Sequence, residues 1–208
     1  MKKNLFLLLF TCFTLVTYAQ TSFNVKAGLN LSSFMGSDAE GSKMKPGIRV
    51  GLGMEHQFSS LFSIQPSLFL SQKGSKASED FTLGGTSLKG DVTVNEMYLE
   101  LPVNAQLKFK VDDKTNFIIA TGPYIACGVG GKTTVKLSSG SNNAKDKLDT
   151  FSDSGMDYRR FDIGWNIGLG LDINHFLIGL DSQLGFTDLV EYASMRNVNV
   201  GIYVGYRF

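Results

Sequence analysis

From residue 161 the chain reads FDIGWNIGLGLDI, in which Phe161, Ile163, Trp165, Ile167, Leu169, Leu171 and Ile173 alternate with Asp162, Gly164, Asn166, Gly168, Gly170 and Asp172. A period of two sends successive side chains to opposite faces of a β-strand, so the two faces of this segment meet different surroundings. The same alternation recurs between turn signals and predicts eight strands, at about 23–33, 47–57, 61–72, 93–109, 116–130, 161–173, 175–187 and 197–208. One set of alternate positions is apolar, from Phe23, Val25, Ala27, Leu29 and Leu31 to Val198, Val200, Ile202, Val204, Tyr206 and Phe208. Pro66, Thr121, Pro123 and Ser182 interrupt it without adding charge. The complementary set carries the charges of the strands: Lys26, Arg49, Lys108 and Arg207 against Glu55, Glu100, Asp162, Asp172 and Asp181. It also carries most of the strand glycines.

Eight alternating antiparallel strands close in two ways, as a soluble lipocalin-like barrel or as an outer-membrane barrel. Periodicity is blind to that choice, but size and charge are not. The lumen of eight strands is barely wide enough for side chains. The glycine-rich set therefore belongs inside, and the large apolar set outside. A lysine or arginine at mid-depth in lipid costs roughly 2–4 kcal/mol, which accounts for a charge-free outer face. The fold class read from the sequence is thus all-β, an eight-stranded antiparallel up-and-down transmembrane barrel.

Loop lengths agree. The connections around FSSL (58–61), VDDKTN (111–116) and INH (173–175) are short, whereas 36–46, 73–91 and 132–160 are long. Short periplasmic turns alternating with long outer loops are typical of such barrels. Phe58, Phe62, Phe109, Phe117, Phe176 and Phe208 are expected near the periplasmic interface, and Phe34, Phe161 and Phe186 near the outer one.

The N-terminus adds a destination. Lys2 and Lys3 precede an apolar run from Leu5 to Val16, and Thr17-Tyr18-Ala19 supplies a cleavage site before Gln20. The run is too short to span a bilayer, so residues 1–19 read as a cleaved secretory signal and 20–208 as the outer-membrane barrel domain. Phe10 and Thr11 stand where a lipoprotein site before Cys12 wants small residues, which leaves Cys127 as the one cysteine of the mature chain. No intramolecular disulfide and no cysteine-based metal site are expected. The whole chain holds 20 basic and 19 acidic residues. Losing two lysines with the signal leaves a charge of about −1, which gives nucleic acid no purchase.

MYLELPVNAQLKF (97–109), IATGPYIACG (119–128) and FDIGWNIGLGLDI resemble the PorT-like outer-membrane β-barrel family. The resemblance rests on Tyr98-Leu99-Glu100-Leu101-Pro102 and on Gly122-Pro123-Tyr124. It implies a porin-like barrel with a filled lumen, and some relatives are linked to protein secretion across the outer membrane.

Three motifs invite chemistry and are better read as structure. ACGVGGKT (126–133) matches a loose phosphate-binding loop, but TTVKLSSGSNN follows it where a helix is required. The bland reading is the glycine-rich top of a strand entering a mobile loop. His56 and His175 are the only histidines and fall at periplasmic ends, away from outer-leaflet lipid that a lipid-modifying enzyme would need. Neither has a companion at metal-ligand spacing. Asp112 and Asp113 are ordinary turn residues.

The reading is a monomeric, non-enzymatic barrel without cofactor or metal. Its lumen is plugged by the network of Lys26, Arg49, Glu55, Glu100, Lys108, Asp162, Asp172, Asp181 and Arg207, since buried charges persist when paired. Tyr206 and Phe208 form a C-terminal signal for the barrel-assembly machinery. Outer-membrane lipid surrounds it, and loop 132–160 is the candidate contact for an envelope or extracellular protein. A component of a secretion apparatus, an outer-leaflet lipid enzyme and a soluble lipocalin-like binder are the alternatives.

Overall fold

A computed structural model of the chain describes residues 20–83, 86–139, 142–151, 158–191 and 193–208. The expected signal peptide, Cys12 included, lies outside the described residues, as do 140–141 and 152–157 of the longest outer segment. Ten strands are formed: β1 (Thr21–Met35), β2 (Lys43–Gln57), β3 (Phe62–Lys73), β4 (Ser75–Leu83), β5 (Thr86–Lys110), β6 (Thr115–Ser139), β7 (Asn142–Asp149), β8 (Phe161–Ile173), β9 (Phe176–Gly185) and β10 (Arg196–Arg207). Eight of them pair antiparallel in the closed order β1-β2-β3-β5-β6-β8-β9-β10 and back to β1. Closure leaves no open sheet edge, the condition for a strand-built structure to sit in hydrocarbon.

The other two strands correct the expectation of long unpaired loops at 73–91 and 132–160. β4 pairs with the start of β5, from Lys76↔Thr93 to Leu83↔Thr86. β7 pairs with the end of β6, from Lys132↔Asp149 to Ser139↔Asn142. β5 and β6 run 25 residues each, more than twice the roughly 9–11 that cross a membrane. Their outer halves, flanked by β4 and β7, form a four-stranded flap that rises above the bilayer. Outside the bilayer neither face is held to the lipid demand, so KTTVKLSS and NNAKDKLD lack the unbroken run of large apolar residues that marks the wall.

The sidedness follows the predicted parity. Leu29, Leu52, Leu169 and Ile202 are 61, 65, 47 and 55% exposed on the wall, whereas Asp162 and Asp172 are 1% exposed inside. This apolar exterior excludes a soluble lipocalin-like barrel, which would hide that set. Phe161 and Phe186 face outward, but Phe34 does not: it pairs with Asn197 and is buried inside the outer mouth. With Leu31 on the wall, a residue three places on falls on the other face.

Prolines and glycines shape the ring locally. The ladders lapse beside Pro66 between β2 and β3, beside Pro102 between β3 and β5, and beside Pro123 between β5 and β6. Each lapse lies where proline offers no N–H to the neighbouring strand. ACGVGGKT is no phosphate loop. At its centre the β5–β6 register slips, with Met97 facing Gly130 and Tyr98 facing Gly128, so Val129 is the extra residue of a β-bulge. β6 then continues as strand to Ser139 rather than entering a loop. Asn174 and His175, at φ 48° and 78°, make the tight turn from β8 to β9.

Candidate functional site

The site is the lumen, because within the membrane-spanning part the alternation of β1–β3, β5, β6 and β8–β10 aims the charged strand residues there. Near the periplasmic end Arg207 of β10 binds Asp172 of β8 at 2.9 and 3.0 Å. Lys108 of β5 pairs with Glu55 of β2. Above them Lys26 donates to Gln65 at 2.8 Å and stands 4.8 Å from the Tyr203 ring. Gln106 donates to the same Gln65 oxygen at 2.9 Å.

Arg49 holds the centre. Its guanidinium reaches Asp181 at 2.5 Å across the ring and Glu100 at 3.8 Å, and lies 4.0 Å over the Phe69 ring. Glu100 is fully buried and takes a second cation, Lys73, at 2.6 Å, plus the amide of Gln183 at 3.3 Å. Tyr124 donates its hydroxyl to Asp162 at 3.0 Å, and Asn197 donates to the same oxygen at 3.4 Å. The Tyr-Leu-Glu-apolar-Pro and Gly-Pro-Tyr segments thus deliver Glu100 and Tyr124 to the upper lumen.

Three charged members of this interior escaped the sequence reading: Lys45, Lys73 and Glu96, at 4, 0 and 1% exposure. Parity could have found them, since Lys45 is in phase with Arg49 and Glu96 with Glu100, while Lys73 continues the inward series of Phe69 and Ser71. With them the interior holds, among the described residues, six cations (Lys26, Lys45, Arg49, Lys73, Lys108, Arg207) and six carboxylates (Glu55, Glu96, Glu100, Asp162, Asp172, Asp181). Charge cancels within the ring, as burial demands.

Little space is left over. A cavity of about 30 Å³ beside Lys26, Arg49, Asn104, Asn166 and Asp181 has room for about two water molecules. Inner glycines serve this packing. A Cβ on Gly164 would lie 2.6 Å from the Tyr124 ring, and one on Gly51 would run into the Phe69 ring. Each glycine vacates the volume that a neighbouring aromatic occupies.

An apolar cap closes the outer mouth. Phe34, Val94, Tyr98, Tyr124, Ala126, Phe151, Tyr158 and Leu189 form one buried cluster. Tyr98 meets Phe151 edge-on at 5.7 Å, and Phe34 lies 6.4 Å from Tyr158. Arg160 ties the returning segment down by donating to the carbonyls of Gly128 at 3.2 Å and Phe151 at 2.8 Å. Burial pushes the Tyr158 hydroxyl pKa up from its ordinary value, with the Glu96 carboxylate adding to the effect.

The remaining sequence candidates lie at the periplasmic edge. His56 Nδ1 is 3.0 Å from the Thr21 hydroxyl and His175 occupies the β8–β9 turn. Asp112 accepts the Lys114 amide at 2.8 Å, which lowers its carboxyl pKa. The Tyr206 ring contacts Phe176 and Phe208, each at 5.3 Å, and the Phe208 amide donates to the Phe23 carbonyl at 2.8 Å. No group of three or more His, Cys, Asp or Glu among the described residues is arranged to hold a metal ion.

A closed ring with an apolar outside and a charge-paired inside defines a transmembrane β-barrel. The family described as "Outer membrane protein beta-barrel domain" matches residues 18–191, and the chain belongs to it. It is an outer-membrane protein. Among solved structures it is similar to the attachment invasion locus protein Ail of Yersinia pestis, at 15% identity and TM-score 0.40, covering 91% of this chain and 99% of that one. It is also similar to Neisserial surface protein A, at 10% and 0.46 with 90 and 99% covered, and to OprG of Pseudomonas aeruginosa, at 16% and 0.38 with 91 and 96% covered. No curated protein matches the chain.

Proposed function

We propose that this protein is a sealed, non-catalytic barrel of the PorT-like kind, exported by a signal peptide cleaved before Gln20, that acts through its outer rim. The carrying observation is the lumen, which is crossed by Arg49–Asp181, Lys73–Glu100 and Lys108–Glu55 and stoppered by the Phe151–Tyr158–Leu189 cap. A solute would have to break buried ion pairs to pass. The two PorT-like segments support the finer family reading by supplying Glu100 and Tyr124 to that lumen. The periplasmic position of His56 and His175 argues against chemistry on outer-leaflet lipid. What remains available for work is the flap and the segment 132–160, where an envelope or extracellular protein can dock on a monomeric barrel.

The test is single-channel recording of the full-length protein in a planar bilayer. A sealed barrel gives no stepwise conductance at neutral pH. Sustained open steps from folded, heat-modifiable protein would overturn the reading.

A further inference from the structure

Among the described residues, the outward face of the flap carries more lysines than carboxylates. Register places Lys132, Thr134, Lys136, Lys145, Lys147 and Asp149 on the same side as the lipid-facing wall, while Thr133 between them points in and is 1% exposed. Lys136 and Lys145 are direct cross-strand partners, a like-charge arrangement that destabilises a sheet. Asp91 stands on the other side of Lys136, and Lys89 completes this face on β5. Five lysines therefore meet Asp91 and Asp149 across β5–β7, while on β4 Asp80 stands opposite Lys89 and Lys76 adds a sixth lysine. Among the described residues, none of the five lysines is in an ion pair.

At the foot of this face lies an open groove of about 570 Å³, whose lining includes Lys132, Lys147, Asn95, Thr134, Asp149 and the inward-turned Glu96. Its floor is the β-bulge. Gly130 lines it and an added Cβ there would meet nothing within 4 Å, so the bulge glycine leaves the groove empty. Height decides what can enter. Val129 is the last exposed apolar residue of β6 before the flap. A strand rising about 3.3 Å per residue at a tilt near 40° gains about 2.5 Å of height per residue. Lys132 thus stands about 8 Å above Val129, and Lys147, opposite Thr134, about 12 Å above it. A headgroup layer is about 5–7 Å deep on each side, so Lys132 stands at its outer edge, and the groove lies on the wall side of the barrel.

We propose that this groove binds the phosphorylated sugar headgroup of an outer-leaflet lipid, with Lys132 and Lys147 on the phosphate and Asn95 and Thr134 on sugar hydroxyls. Lys136 and Lys145 extend the cationic surface upward for further phosphates. The occupant is a lipid because the lysines sit on the wall side, from the outer edge of the headgroup layer upward, where phosphate is the abundant anion.

The test is titration of lipopolysaccharide into the full-length protein in uncharged detergent, with the dissociation constant read by thermophoresis and folding checked by heat-dependent gel mobility. Lys132→Gln/Lys147→Gln should weaken binding at least tenfold. Gly130→Leu, which fills the groove at unchanged charge and an unstrained backbone position, should weaken it comparably. Lys110→Gln, an exposed lysine at the periplasmic end, should leave it unchanged. Lipopolysaccharide stripped of phosphate should bind the wild type no better than intact lipid binds the double variant. Equal affinity for all variants would overturn the site. Gly130→Leu binding like wild type would replace the groove by diffuse surface charge, and soluble dextran sulfate binding as tightly as the lipid would overturn the assignment to a membrane component.

Discussion

The indole Nε1 of Trp165 donates to the hydroxyl of Thr121 at 2.8 Å, across the β6–β8 pair on the lipid-facing wall. Thr121 in turn donates its hydroxyl to the carbonyl of Asn166 at 2.9 Å. Thr121, one of the polar interruptions of the apolar set, is therefore the partner of the chain's one tryptophan. In hydrocarbon neither group can turn to water, so each satisfies the other.

Thr121→Val leaves the indole N–H without an acceptor and should destabilise the barrel by about 1–2 kcal/mol. Trp165→Phe removes the orphan, so the double variant should lose less than the sum of the singles. Urea unfolding in lipid vesicles measures this, and strict additivity would show that the bond contributes nothing.

Leu169→Arg puts a charge near mid-depth on the wall and should cost roughly 2–4 kcal/mol in the same assay. Wild-type stability for this variant would mean that β8 does not face lipid.

Glu100 sits between Lys73 and Arg49. Glu100→Gln strands a fully buried ammonium and should cost about 3–5 kcal/mol. Adding Lys73→Met removes that uncompensated charge and should recover much of the loss. A double variant as unstable as the single would place the cost elsewhere than in the lost ion pair.

Phe208 is the outermost ring of the Phe176–Tyr206–Phe208 group at the periplasmic edge. Deleting it should lower the outer-membrane yield several-fold while leaving the protein able to refold from denaturant into detergent micelles. Normal yield in cells would discredit Phe208 as part of an assembly signal, and failure to refold would make it a stability residue instead.

Much of this barrel is legible from one rule, that lipid and a narrow lumen impose opposite demands on alternate residues. Leu29, Leu169 and Ile202 could be assigned to the wall, and Asp162 and Asp172 to the interior, without coordinates, because a charge on the wall is expensive in the middle of the hydrocarbon. Where the chain leaves the membrane that demand ends, and so does the signal. β4, β7 and the outer halves of β5 and β6 were invisible for this reason. Phe34 lies inside because its phase along β1, and not its aromatic character, sets its face.

Residue type and period alone determined the ring, its sidedness and the inward aim of the charges, since each depends on a side chain's own transfer energy between water and lipid. Which cation meets which carboxylate is a different kind of fact. Arg49 and Asp181 lie 132 residues apart and meet only because strand order and stagger set them across one narrow space. The Phe151–Tyr158–Leu189 cap and the groove at the Gly130 bulge belong to that second kind: distant segments share a volume there, and only the closed ring decides which ones.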